Sequence, residues 1–307
     1  MGVIEATNVK KSFDKKKVLE GISFSVEKGE VFGFLGPNGA GKTTTMLILL
    51  GLLDPDEGEA LVMGSRLGES PARRAETGVV LEKHGMYETF TAYKNLEYFA
   101  GLYGVEKRED KIKTLLAEVG LSHALDKKVG TFSTGMKKKL ALARALVHDP
   151  EVLFLDEPTA GLDPEAQVDF RKRIVELSTD REMTVFFNSH NLDEVQKLCS
   201  SVAILDRGSI KAWDRLDVLT SSFSEPQVII TLADKRDLDR ARKIVLNDPA
   251  VAEVAVHEST LVCSLSKPEF SLKRLVMEDI KIDEFKRSTK TLEEVYMNIV
   301  AAEQKEE

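Results

Sequence analysis

The chain has 307 residues, enough for one large domain and a smaller one with buried cores. Its 43 basic and 51 acidic residues give a net charge of −8, which does not support general nucleic-acid binding. The two cysteines, Cys199 and Cys263, stand apart from any His or Cys cluster, so we expect neither a disulfide framework nor a zinc site. The apolar stretches are far shorter than the ~20 residues that span a bilayer, and we expect no signal peptide.

The first 220 residues alternate between strand-like and helix-like segments. Strands are predicted at residues 4–9, 18–26, 31–35, 152–155 and 184–187. Helices are predicted at residues 46–53, 137–147 and 166–177, with helical patterns also between about residues 89 and 130. A turn at residues 54–58 is expected to end the first helix. This alternation predicts a parallel sheet in an α/β core.

The most specific motif follows the predicted strand 31–35 and matches G-x-x-x-x-G-K-[ST]. It consists of Gly36, Pro37, Asn38, Gly39, Ala40, Gly41, Lys42, Thr43 and Thr44. A glycine-rich turn between a strand and a helix binds phosphate, because the first amides of the helix point at the anion. We expect its three glycines to take positive φ angles and to approach the phosphate oxygens. Lys42 would contact the β- and γ-phosphates, and the Thr43 hydroxyl could complete a Mg²⁺ shell.

Two further strands carry candidate catalytic residues at their C-terminal ends. Asp156 and Glu157 follow the apolar strand 152–155, at the edge of a parallel sheet where ligands bind. Asp156 is placed to hold the Mg²⁺ of a nucleotide, and Glu157 to polarise an attacking water. A helix-capping acidic pair is the alternative. His190 follows strand 184–187 and could orient that water, although a lone histidine is more often a satisfied surface or core residue. We assign no chemistry to the remaining histidines, His84, His123, His148 and His257.

A second anion-binding segment precedes the helix predicted at residues 137–147. It reads Phe132-Ser133-Thr134-Gly135-Met136, and taken alone Ser133 is a helix N-cap. In order with the phosphate loop and the acidic pair, this segment resembles the signature motif of the nucleotide-binding subunits of ATP-binding-cassette (ABC) transporters. The resemblance covers essentially all of residues 1–220. It implies an α/β fold, a P-loop NTPase core (ABC ATPase) with a helical insert at about residues 83–137.

The resemblance also assigns roles to individual residues. Ser133, Thr134, Gly135 and Met136 would contact the γ-phosphate of ATP held by the opposite subunit, so that two chains sandwich two nucleotides. Asp163 would lie in the D-loop and communicate across the dimer, and Phe13 would stack on adenine. Glu82 stands where most relatives carry the glutamine of the Q-loop, and its carboxylate could still bind Mg²⁺.

Residues 137–139 are three consecutive lysines. We expect a solvated helix start, with a role at a dimer interface or in steering phosphate as the alternative.

The composition changes after about residue 221, where residues 221–226 are predicted to form a linker. Beyond it, residues 227–307 show the order βαββαβ and a final amphipathic helix, which predicts a small C-terminal α+β domain of ferredoxin-like type. This domain could be a dimerisation element, a regulatory element or a stabilising cap. The run Thr291-Leu292-Glu293-Glu294-Val295-Tyr296 resembles the C-terminal pattern of subunits that partner ABC-2-type export permeases.

The sequence therefore predicts an ATPase subunit that dimerises around two Mg·ATP and drives a separate membrane permease, with ABC-2-type export favoured. We expect ATP and Mg²⁺ as ligands, a second ATPase subunit and a permease as partners, no nucleic acid, and a location on the cytoplasmic face of the membrane. A soluble ABC ATPase in a non-transport process is the alternative. A module that binds ATP without hydrolysing it is disfavoured by Asp156, Glu157 and His190.

Overall fold

The computed structural model describes residues 2–83, 85–222, 227–267, 270–288 and 290–303. The chain divides into two compact units, Met1–Leu216 and Asp217–Glu307. The predicted linker, residues 221–226, begins four residues after this division: residues 221 and 222 end a helix, and residues 223–226 lie outside the described residues, as does His84.

The strands of the first unit form two sheets. They are β1 (Ile4–Phe13), β2 (Lys16–Val26), β3 (Val31–Leu35), β4 (Glu57–Val62), β5 (Thr77–Val80), β6 (Val152–Asp156), β7 (Thr184–Ser189), β8 (Ser201–Asp206) and β9 (Ser209–Arg215). One sheet is antiparallel, in the order β2-β1-β4, and the other has the order β5-β6-β7-β3-β8-β9. In the second sheet β5, β6, β7, β3 and β8 run parallel, and β9 pairs antiparallel with β8. Strands β6 and β7 are neighbours.

The helices of the first unit connect these strands. They are α1 (Lys42–Leu49), α2 (Pro71–Ala75), α3 (Ala92–Leu102), α4 (Arg108–Glu118), α5 (Thr134–Ala145), α6 (Pro164–Arg181) and α7 (Leu192–Leu198), with α8 (Leu216–Ser222) at the division. Side chains at the N-caps set where four of them begin: Thr91 for α3, Ser133 for α5, Asp163 for α6 and Asn191 for α7 each accept a backbone N–H of the first turn. Helices α3 and α4 lie within the predicted helical insert.

The two sheets of the first unit pack through an aromatic core. Phe24 on β2 stacks on Phe32 of β3 at 5.4 Å between ring centroids, and Phe186 on β7 lies 5.3 Å from Phe34. All five residues of β3 are buried, as expected for the central strand of a parallel sheet. The strand that leads into the phosphate loop is therefore held from both faces.

Strand β4 corrects the prediction for residues 54–58. The first helix ends at Leu49, and Glu57 and Gly58 already belong to β4, which pairs with β1. The sequence did not reveal this strand because its first three residues are exposed and polar, so no apolar alternation marks it.

The second unit contains a four-stranded antiparallel sheet. Its strands are β10 (Gln227–Leu232), β11 (Val251–His257), β12 (Thr260–Leu265) and β13 (Ile282–Ser288), and its helices are α9 (Leu238–Leu246), α10 (Lys273–Met277) and α11 (Leu292–Glu303). The element order is β10, α9, β11, β12, α10, β13, which is the βαββαβ order expected from the sequence, and the sheet order is β11-β12-β10-β13. Alternate residues of β10 and β12 face a core built with α9.

Candidate functional site

The phosphate loop lies between β3 and α1, as the motif predicts. Gly41 has a φ of 112°, a conformation that favours glycine, and a Cβ there would lie 2.6 Å from Leu19 Cδ2. Gly39 also has a positive φ, but the expectation for Gly36 is wrong. Gly36 is instead required by space, since its Cβ would lie 2.2 Å from the Leu205 carbonyl oxygen. No side chain caps α1, so its first amides are left for an anion.

Lys42 lies folded back onto this loop. Its Nζ donates to the Gly36 carbonyl at 2.7 Å and to the Pro37 carbonyl at 3.3 Å. Burial lowers the pKa of Lys42, and the carboxylates of Glu157 and Asp156 oppose that change. The ammonium is thus positioned between the loop and the acidic edge of the sheet.

The C-terminal ends of β6 and β7 bring the candidate catalytic residues together. Asp156 is paired with Asn188 in the sheet and accepts a hydrogen bond from the Asn188 side-chain amide. Burial raises the pKa of Asp156, and the neighbouring carboxylates of Glu157 and Glu82 add to the shift. Glu157 Oε1 lies 2.7 Å from Nδ1 of His190, so these two side chains form one hydrogen-bonded pair.

These groups surround one cavity of about 600 Å³. Phe13, the last residue of β1, lines it and is 46% exposed. Glu82 follows β5, which pairs with β6, and so reaches the same edge as Asp156. The predicted site residues that line the cavity are Phe13, Asn38, Gly39, Gly41, Lys42, Thr43, Thr44, Glu82, Asp156, Glu157 and His190. Gly36, Pro37 and Ala40 belong to the same loop but do not line it.

The remaining predicted residues line a separate cavity of about 430 Å³. It contains Ser133, Thr134, Gly135, Met136 and Asp163. Ser133 Oγ accepts the Met136 N–H at 3.2 Å, and Asp163 Oδ1 accepts the Ala166 N–H at 2.8 Å, so both residues also act as N-caps. The two cavities share no lining residue. Within one chain the structure therefore does not bring the Ser133 segment to the phosphate loop.

Comparison with known proteins finds the ABC transporter family profile at residues 19–160. The uncharacterized ABC transporter ATP-binding protein YhcH of Bacillus subtilis (strain 168) is 35% identical over 99% of this chain and 98% of its own length. The chain belongs to the ABC transporter ATP-binding protein family. The Nod factor export ATP-binding protein I of Rhizobium sp. (strain N33) is 38% identical over 87% of each chain. A solved structure of the ATP binding subunit of an ABC transporter superposes with a TM-score of 0.66, at 31% identity over 72% of this chain and 93% of that one.

The family membership confirms the prediction of an ATP-binding, ATP-hydrolysing subunit of a transporter. It also confirms the P-loop NTPase fold. The relatives are transporter subunits, which supports this prediction and not the alternative of an ABC ATPase in a non-transport process. None of the helices in the described part of the chain has the length and apolarity to cross a bilayer.

A divalent cation fits this ABC ATPase site. The Asn188 Oδ1 atom is buried and, among the described residues, has no hydrogen-bond partner, although it lies next to the carboxylate of Asp156. Carboxylate, amide and hydroxyl oxygens are the ligands that Mg²⁺ prefers, and Asp156, Glu82 and Thr43 supply them from the same cavity. No group of three or more His, Cys, Asp or Glu in the described ranges could hold a metal.

The sequence did not identify two residues at this site, Lys138 and Asn188. The prediction of a solvated lysine run is wrong for Lys138: it is 3% exposed, and its Nζ donates to the carbonyl oxygens of Glu157 and Ala160. Lys137 and Lys139 are partly exposed and pair with Glu88 and Asp169. Helical spacing offered the one available signal, since Lys138 shares a face of α5 with buried Leu142.

Proposed function

We propose that two copies of this chain bind two Mg·ATP and hydrolyse them to drive export through a separate membrane permease. The observation that carries the proposal is the pairing of Glu157 with His190 at 2.7 Å, across one cavity from Lys42 and the uncapped start of α1. A paired carboxylate facing a phosphate-binding loop is the arrangement that activates water against a phosphoryl group.

Each group in this cavity has a role in that reaction. Lys42 and the α1 amides hold the phosphates, and the Phe13 ring stacks on the adenine. Thr43, Asp156 and Glu82 hold Mg²⁺, which neutralises phosphate charge when bound. Glu157 accepts the proton of the attacking water, while His190 fixes the Glu157 carboxylate and orients the water.

The second copy completes each site. The Ser133 segment opens into its own cavity at the start of α5, where backbone amides favour an anion. Because this cavity shares no residue with the ATP cavity of its own chain, the γ-phosphate it contacts belongs to the partner. ATP binding thus adds charge-assisted contacts that close the dimer, and loss of the γ-phosphate removes them. Asp163, at the start of α6, lines the same cavity as the Ser133 segment.

An exposed aromatic patch offers a surface for the permease. We define it by Tyr87, Phe90 and Tyr98, which are 42%, 39% and 44% exposed. The Tyr87 ring lies 5.2 Å from that of Phe90 and 5.3 Å from that of Tyr98, so the three form one cluster. Clustered exposed aromatic side chains mark protein-binding surfaces. The patch, with the adjoining Met86, follows the Glu82 segment, and we assign it to a permease helix on the cytoplasmic face of the membrane.

Export is proposed from the relatives, one of which is named for Nod factor export. The transported molecule is selected by the permease. The second unit is proposed as an accessory domain for the ATPase.

Size-exclusion chromatography with light scattering on Glu157→Gln, with and without Mg·ATP, tests this function. Glutamine keeps the size of the side chain but cannot accept the water proton, so turnover falls by about 10²–10⁴-fold while ATP still binds. We expect a monomer without ATP and a dimer with it. Glu151→Gln is the matched control, because Glu151 precedes β6 at the opposite end of that strand.

Other outcomes contradict parts of the proposal. Near-normal hydrolysis by Glu157→Gln would show that Glu157 is not the base that accepts the water proton. A monomer in both conditions would exclude ATP-driven pairing of identical chains. A dimer in both conditions would move the dimer contact away from the nucleotide and towards the second unit.

A further inference from the structure

Lys138 is a buried ammonium that holds the loop of the proposed base. It lies in the second turn of α5, and its Nζ donates to the Glu157 carbonyl at 3.0 Å and to the Ala160 carbonyl at 2.5 Å. Lys137 and Lys139 on either side bind the surface carboxylates of Glu88 and Asp169 instead. Of three adjacent lysines, only Lys138 contacts the backbone of residues 157–160.

The Glu157 backbone needs such contacts. Its φ is 46°, in the left-handed region that favours glycine. A non-glycine residue persists there only where its surroundings over-determine the conformation, and such residues cluster at functional sites. The Glu157 N–H donates to the Asn188 carbonyl at 3.0 Å, and its own carbonyl accepts from Lys138 at 3.0 Å and from the Ala160 N–H at 3.3 Å. Both peptide groups of Glu157 are therefore fixed, and the side-chain direction toward His190 follows from them.

The same loop separates the two cavities. Glu157 and Ala160 line the ATP cavity, whereas Gly161 and Asp163 line the cavity of the Ser133 segment. Helix α5 begins in that second cavity at Ser133, and Lys138 lies five positions later on the same helix. A single rigid helix therefore joins the second cavity to the carbonyl of Glu157.

We propose that Lys138 is a positioning residue that holds Glu157 in its left-handed conformation and ties the placement of Glu157 to helix α5. This inference rests on the proposed function, in which Glu157 is the base and the Ser133 segment contacts the partner's ATP. Each chain would then contact two nucleotides, the partner's ATP through the Ser133 segment and its own ATP through Glu157. Helix α5 and Lys138 would connect these two contacts.

The charges around Lys138 agree with this role. Burial lowers the pKa of Lys138, while the carboxylates of Glu194, Glu157 and Glu82 oppose the change. Glu194 is itself buried and accepts a hydrogen bond from the Thr159 hydroxyl within the same loop. The loop is thus held by a donor from α5 and an acceptor from α7.

ATPase kinetics on the full chain test the proposal. Lys138→Met removes the donors at nearly constant length, and we expect kcat to fall about 10- to 100-fold, the scale of a misplaced catalytic group, with little change in KM for ATP. Lys138→Gln restores most of the lost kcat, because its amide supplies two N–H donors. Lys137→Met is the matched control and keeps the native kcat, because Lys137 pairs with Glu88 and lines neither cavity. Combining Lys138→Met with Glu157→Gln lowers kcat no further than Glu157→Gln alone.

Failure of the proposed function and failure of the positioning role of Lys138 give different results. Near-normal hydrolysis by Glu157→Gln overturns the proposed base, and the role of Lys138 with it. A low rate for Glu157→Gln beside a native kcat for Lys138→Met overturns the positioning role only, as does a loss confined to KM. If Lys138→Met and Lys138→Ala both fail to fold while Lys137→Met folds, Lys138 serves stability and the proposal is overturned.

Discussion

Replacement of Lys42 by methionine separates phosphate binding from folding. Methionine keeps an unbranched side chain in the same space but removes the ammonium. In the structure this ammonium is held by the carbonyls of Gly36 and Pro37, and only 6% of the residue is exposed. Lys42→Met therefore leaves the shape of the loop in place and deletes the positive charge that faces Asp156 and Glu157.

The loss in ATP affinity follows from the number of contacts. An ammonium carries three N–H donors, and two are directed at loop carbonyls, so at least one is available to a phosphate oxygen. A hydrogen bond to a charged group contributes about 1.5–3 kcal/mol, which corresponds to roughly 12- to 150-fold in the dissociation constant. We expect ATP to bind Lys42→Met more weakly by that factor, with a smaller change in Tm.

Titration of the full chain with a fluorescent ATP analogue in the presence of Mg²⁺ measures this change. Lys28→Met is the control, because Lys28 pairs with Glu182 at the surface and lies outside the ATP cavity. An affinity for Lys42→Met equal to that of Lys28→Met would refute the placement of phosphate at this loop. Loss of the folded state would show instead that the fold depends on the hydrogen bonds from the ammonium to the loop carbonyls.

Two further predictions concern the same cavity. Phe13→Ala weakens ATP binding by roughly 5- to 150-fold, because one base–aromatic stack contributes about 1–3 kcal/mol. The affinity for inorganic triphosphate, which has no base, stays unchanged. An equal loss for both ligands would disprove the adenine contact. Asp156→Asn removes a buried charge while keeping an oxygen that accepts from the Asn188 amide. We therefore expect Tm without nucleotide to rise, by about 2–4 °C for each 1 kcal/mol gained in the free energy of unfolding. We also expect hydrolysis to fall. A lower Tm in calorimetry would show that the ionised carboxylate stabilises the fold.

The parts of the site that could be predicted are local in sequence. The phosphate loop is a continuous motif between a strand and a helix, and Asp156 and Glu157 follow an apolar strand whose end had to lie at the ligand edge of a parallel sheet. The pairing of β6 with β7 then brought His190 to Glu157. Spacing and strand order were enough for these residues, because the backbone alone determines where they lie.

The parts that could not be predicted depend on tertiary contacts. Lys138 stands in a run of three lysines, and only the return of residues 157–160 against α5 makes one of them a buried donor. Gly36 was expected to take a positive φ angle, yet glycine is required there because a Cβ would collide with the carbonyl oxygen of Leu205 on the distant strand β8. Strand β4 has polar, exposed residues at its start and is defined by pairing with β1. Such features follow from neighbours that the local pattern does not contain.

The order of strands around the phosphate loop has a consequence for the synthesis of the chain. Strand β3 lies between β7 and β8, so that Val31 faces Val185 and Phe32 faces Ser201. Pairing between such distant segments is slow, because a long loop must close before the contacts form. The strand before the loop therefore emerges from the ribosome long before either of its neighbours. Both edges of this apolar strand stay open until β7 has been made at residue 189, and one edge stays open until β8 has been made at residue 206, so the growing chain exposes a strand that can aggregate.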